Sequence, residues 1–110
     1  MDIPARRPDP VVFGYVRLLP APGPNEARAA LRHFTDRQGM VLAQVFVEAD
    51  SGGRRPALAS LIEAISFHEV VGIVVPSLDH LADEAPAQAT ARARIEREAG
   101  VPVLIAQAPP

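Results

Sequence analysis

Cysteine and lysine are both absent from this 110-residue chain. Without cysteine there is neither a disulfide framework nor a thiolate metal site. Without lysine there is no P-loop, whose phosphate cradle needs G-K-[ST]. All 11 basic residues are therefore arginine, the composition of a GC-rich coding sequence. Long apolar runs are missing too: none approaches the roughly 20 residues of a membrane span. Arg6 and Arg7 near the N-terminus are not followed by the apolar core of a signal peptide. The expectation is a cytoplasmic protein with no membrane contact. Excess positive charge is also lacking. The formal net charge is −2 and the pI is near 5.9, whereas neutralising phosphates calls for a basic surface. Composition thus argues for weak DNA binding or none.

What is present is a regular alternation. Val11–Pro20 (VVFGYVRLLP) is rich in β-branched and aromatic residues, unbroken by proline until its end, and reads as a central strand buried on both faces. Pro20–Pro24 stops it. Asn25 is read as the N-cap of a first helix, with Ala27, Ala30, Leu31 and Phe34 as its apolar stripe and Gly39 as its stop. Met40–Val47 is a second strand, followed by a polar loop from Glu48 to Arg55. Pro56 opens a second helix with Leu58, Leu61, Ile62 and Ile65 on one face. Val70–Pro76 is a third strand, Ser77–Ala85 a loop with one helical turn, Pro86–Ala99 a third helix and Val101–Ala106 a fourth strand.

Strands alternating with helices at this spacing predict βαβ units in a mostly parallel sheet with helices on both sides. The fold class expected is α/β, a three-layer doubly wound sheet. One domain spans 11–107, with a disordered lead-in over 1–10 and a short tail over 108–110. Ligands of such sheets sit beyond the carboxyl ends of the strands, so Leu18, Leu19 and Pro20 should belong to the rim. Their side chains are poor ones for chemistry. The first strand is followed by neither G-x-G-x-x-G nor the acidic pair of a phosphoacceptor receiver, and no nucleophile elbow G-x-S-x-G occurs.

Four short segments remain: Gly14-Tyr15-Val16-Arg17, Asp50-Ser51-Gly52, Arg55-Pro56-Ala57-Leu58 and Leu78-Asp79-His80-Leu81. In this order and spacing the chain resembles the catalytic domain of the serine recombinases, the resolvase/invertase family, over about Val12–Ala106. That family has a strand reading roughly G-Y-x-R-V-S-T, a D-x-x-S-G loop, an R-P-x-L or R-x-x-L helix start and an L-D-R-L-x-R segment. The resemblance implies a resolvase-like fold. In the family, a serine at the strand end attacks a DNA phosphodiester while arginines neutralise the phosphate. Carried onto this sequence, the nucleophile position holds Leu19. The two arginine positions of L-D-R-L-x-R hold His80 and Asp83, and the first aspartate of D-x-x-S-G is Glu48. Tyr15, Arg17, Arg55, Asp79, Ser51 and Gly52 match. Family members continue with a long dimer-forming helix and a helix-turn-helix domain, and this sequence ends before either. The expectation is a chain that is not an enzyme and does not exchange strands.

Each residue also has a plainer reading. Ser51 is the one substitute nucleophile available, but turn hydrogen bonding accounts for it better. Arg17 and Arg55 form a remnant anion site, or else Arg17 is paired structurally with Asp79, Glu48 or Asp50. Glu48, Asp50, Asp79, Asp83 and Glu84 could hold a divalent cation through oxygen, but solvated loop acids, or partners for Arg54 and Arg55, describe them better. No metal and no cofactor are expected. His80 is read as a polar replacement, and His33 and His68 as helix-surface residues. Arg92, Arg94 and Arg97, interleaved with Glu96 and Glu98, read as a mixed solvated face.

The leading expectation is an inactive resolvase-like domain, regulatory or protein-binding, that associates with itself or a partner through a sheet edge or a helix face. The first alternative is a non-cutting, DNA-associated partner in recombination. The second is a module binding a small anion or phosphorylated ligand at Arg17 and Arg55.

Overall fold

The computed structural model describes residues 9–20, 23–49 and 54–107. Strand β1 (Val11–Arg17) leads through helix α1 (Pro24–Gln38) to β2 (Val41–Glu48), then through α2 (Pro56–Ile65) to β3 (Gly72–Val75). A single 3-10 turn, Leu78–His80, precedes α3 (Ala85–Ala99), and β4 (Val103–Ile105) follows. The strands lie in the order β2-β1-β3-β4, and every described pairing is parallel.

Alternation along β1 assigns the layers. Val12 and Val16 face α1, where they pack with Ala27, Leu31 and Val74. Phe13 and Tyr15 face the other side and pack with Leu61 of α2, Ile95 of α3, Ile73 and Val103. The three-layer doubly wound arrangement is thus present, with β1 buried on both faces. Gly14 points at α1 at close range. A Cβ there would lie 2.7 Å from Leu31 Cδ1 and 3.2 Å from Leu42 Cδ1, so the helix can approach the sheet only over a bare backbone.

One irregularity matters for function. The pairing of β1 with β2 slips between Val12↔Leu42 and Phe13↔Gln44, leaving Ala43 as an extra residue. Because side chains alternate faces with a period of two, one inserted residue turns everything after it over. Phe46 and Glu48 are thereby placed beside Tyr15 and Arg17, on the α2 and α3 side.

Some boundaries differ from the sequence expectation. Helix α1 is capped by Gly23, not Asn25, because Pro24 takes the first helical position, where its fixed φ suits the helix and no N–H is needed. Gly39 ends it in the left-handed conformation, φ 69°, where glycine carries no steric penalty. Glu48 is the last residue of β2 rather than the first of a loop. Strand β4 starts only after Pro102, which has no N–H for the ladder.

Candidate functional site

Strand order reverses between β1 and β3: the chain leaves β1 for β2 on one side and returns across to β3 on the other. In sheets of this kind ligands bind at the switch point, beyond the strands' carboxyl ends. The end of β1, with Arg17 to Pro20, and the segment after β3, from Pro76 through the 3-10 turn, lie there.

Arg17 is the centre of the site. Its backbone N–H donates to His80 Nδ1 at 2.9 Å. Its Nη2 donates to the Asp79 carbonyl at 2.5 Å and to Asp83 Oδ1 at 2.7 Å. The Arg17 side chain is 19% exposed and that of Asp83 is 83% exposed, so the carboxylate covers the guanidinium from the solvent side. Of the expected ion-pair partners for Arg17, Asp79 supplies only its carbonyl, and Glu48 bonds elsewhere. The pairing falls to Asp83, read from the sequence as standing at a family arginine position and as a solvated loop acid or a partner for Arg54 and Arg55. The 3-10 turn brings Asp83 round onto the end of β1, a proximity that residue order does not reveal.

His80 is fully buried. Accepting the Arg17 N–H at Nδ1 places the neutral imidazole's proton on Nε2, a buried atom without a hydrogen-bond partner. Burial first, and then the Arg17 charge, push its pKa below the ordinary value, with Asp79 opposing. His80 is therefore a core residue that positions the turn.

A second carboxylate lies on the β2 side. Glu48 is buried, and its oxygens accept from the Tyr15 hydroxyl at 3.0 Å and from the Ala57 and Leu58 N–H groups at 2.9 and 3.1 Å. Those two N–H groups belong to the first turn of α2, where helix N–H groups lack intrahelical partners and negative charge is stabilised. The Tyr15 hydroxyl is held protonated well above its ordinary range, mainly by burial and then by the adjacent Glu48. The charges of Arg55 and Arg17 act in the opposite sense.

The structure thus brings Arg17, Asp79, His80 and Asp83 into one network and Tyr15 and Glu48 into another. Arg55 is the N-cap of α2. Leu19 sits half-buried on the rim. Ser51 and Gly52, with Asp50, lie outside the described residues. Among the described residues no group of three or more His, Asp and Glu side chains is arranged to hold a metal ion, and no helix is long and apolar enough to cross a membrane. One contributor, Gln88, escaped the sequence reading, and Arg92 and Glu96 take another role than the one read. Gln88 of α3 donates to Asp79 Oδ1 at 3.2 Å and to the Ala82 carbonyl at 3.0 Å. Arg92, expected on a solvated face, donates to the Val103 carbonyl at 2.8 Å, while Glu96 accepts the Val103 N–H at 2.9 Å. His68 lies just beyond α2, its Nδ1 2.9 Å from the Ala64 carbonyl oxygen, and meets Phe13 edge-on.

A parallel α/β domain with an arginine-centred network at its switch point is the class that fold and site define. The family described as Resolvase, N terminal domain matches residues 12–109. The chain belongs to this family. No curated protein matches the sequence. Among solved structures, the N-terminal catalytic domain of TP901-1 integrase is similar with a TM-score of 0.72 at 18% identity, covering 87% of this chain and 76% of that one. The C-terminal catalytic domain of ISC1926 TnpA, an IS607-like serine recombinase, gives 0.67 at 14% identity, covering 89% and 68%. The corresponding domain of IS1535 TnpA gives 0.58 at 20% identity, covering 87% and 69%. At these identities the likeness speaks for the fold, that of serine recombinase catalytic domains.

Proposed function

We propose that this chain is a catalytically inactive resolvase-like domain that works as a regulatory or protein-interaction module. The observation that carries this reading is that carboxylates of the chain itself occupy the places where an anion would bind. Asp83 neutralises Arg17, and Glu48 takes the N–H groups at the start of α2. A phosphodiester would have to displace Asp83 and would meet its negative charge on approach. At the position where the family resemblance puts the nucleophile, Leu19 offers only alkyl carbon, with no lone pair to attack phosphorus. Protein contacts then become the remaining route to function, by self-association or with a partner.

The test is a DNA titration with two readouts. A labelled duplex is followed by fluorescence anisotropy at low and near-physiological salt, and the same mixtures are examined under denaturing conditions for a covalent protein–DNA adduct. We expect no adduct, and binding that disappears as salt rises. A covalent adduct overturns the inactive reading. Tight, salt-resistant binding without an adduct favours a non-cutting DNA partner instead.

A further inference from the structure

Three bonds tie the Ser77–Glu84 segment to the end of β1, and all three end on Arg17: its N–H to His80 Nδ1, and its Nη2 to the Asp79 carbonyl and to Asp83. The bond to His80 differs from the others because its acceptor is a buried, titratable nitrogen. A protonated imidazole carries N–H at both ring nitrogens. Its Nδ1–H would then point at the Arg17 N–H from 2.9 Å, donor against donor. The added charge would also be buried beside a guanidinium, with Nε2 still lacking an acceptor. The docked arrangement therefore admits only neutral His80.

Among the neighbouring charges Asp79 favours the protonated imidazole, but its carboxylate bonds to Gln88 and not to either ring nitrogen. On β1 the charge is that of Arg17 itself. Within the segment, Asp83 is committed to Arg17, and Asp79 accepts from the uncharged Gln88 of α3. On α3, Arg92 and Glu96 are engaged with the backbone of Val103. Glu48, on β2, bonds to Tyr15 and to the start of α2. The segment also forms one wall of an apolar groove of about 700 Å³ between α2 and α3, to which Leu81 and Ala82 contribute alongside Leu58, Ile62 and Ile95.

We propose that Ser77–Glu84 is a proton-released clasp, docked on Arg17 while His80 is neutral and undocked when the imidazole takes a proton, so that acidification removes one wall of the groove between α2 and α3. The proposal concerns a movement of the fold and stands independently of whether the domain cleaves DNA.

Amide hydrogen exchange across residues 77–84 of the full chain tests it, corrected for the intrinsic effect of pH and run from pH 7.5 to 5.5. In the wild type, the open fraction should rise by up to about tenfold per pH unit once the pH is below roughly 6.5. Asp83→Asn should keep that slope, since the sensor is His80. His80→Gln, which retains an acceptor but does not titrate, should flatten it. A flat wild-type profile, or a slope abolished by Asp83→Asn, overturns the proposal. Imidazole NMR of the wild type decides the matter even if His80→Gln fails to fold. The docked form should hold the Nε2–H tautomer, and protonated imidazole should appear only together with loss of amide protection. Ordinary titration of His80 with the 77–84 amides still protected overturns it.

Discussion

Arg17 and Asp83 face each other at 2.7 Å across the end of β1. They lie 66 residues apart in sequence, and their pairing neutralises the cation at the centre of the site. Exposed pairs contribute little to stability, roughly 0–1 kcal/mol, because water and salt screen them. Asp83→Ala should therefore unfold within about 1 kcal/mol of the wild type in urea. Its consequence should be a freed guanidinium. Inorganic phosphate should raise the melting temperature of the variant by roughly 2 °C and leave the wild type unmoved. An equal shift in both proteins would show that Asp83 does not guard Arg17.

Leu19→Ser introduces a hydroxyl at the rim but leaves Asp83 and Glu48 in place. We expect it to form no covalent adduct with DNA under the conditions of the titration above. An adduct formed by this single substitution would mean that the nucleophile alone had been missing.

Glu48 is the buried charge on which the β2 side depends. Glu48→Ala removes the acceptor for three donors at once, and should cost on the order of 3 kcal/mol in chemical denaturation. Tyr15→Phe removes one of those donors and should cost about 1–2 kcal/mol. Because the two side chains share a bond, a double-mutant cycle should show coupling rather than additivity.

Tyr15 and His80 give stability a pH dependence at both ends. The tyrosine pKa is raised on folding, so its contribution is complete below its unfolded value near 10 and is lost as pH climbs beyond it. The histidine pKa is lowered on folding, so its contribution is complete above about 6.5 and is lost as pH falls through the depressed value. Urea midpoints should decline on both flanks, and Tyr15→Phe should remove the alkaline part of the decline. A Tyr15→Phe profile that falls as steeply above pH 10 as the wild type would assign the loss to other groups.

Gly14→Ala probes the contact between α1 and the sheet. Its Cβ would sit 2.7 Å from Leu31 Cδ1, with Leu42 and Val45 also closer than ordinary contact. Leu31 is fully buried and has little room to yield. We expect a loss of about 1–3 kcal/mol by denaturation, and a neutral result would show that Leu31 can repack.

Local chemistry explains what was readable along the chain. Hydrophobic runs such as Val11–Val16 and helical stripes such as Leu58, Leu61, Ile62 and Ile65 each report burial of their own element, so the order of elements and the α/β class were apparent from residue order. Pro56 and Gly39 punctuate helices through their own backbone geometry, and their readings agree with the observed ends. Asn25 misled because Pro24, one residue earlier, satisfies the helix start without a side-chain cap. Leu19, His80 and Asp83, the residues that the resemblance sets at its nucleophile and arginine positions, were likewise visible as residue types.

What those residues do in place belongs to the tertiary structure. The insertion of Ala43 into β2 leaves no mark in residue types, yet it decides that Glu48 faces Tyr15 and α2 rather than α1. The pairing of Asp83 with Arg17 and the burial of His80 depend on where the 3-10 turn lands against β1. Residue order by itself determined the alternation of strands and helices, because each element records its own exposure in its pattern. Only the folded chain decided that Asp83 pairs with Arg17 and that Glu48 takes the start of α2, because the meeting of groups distant in sequence is set by sheet register and turn placement.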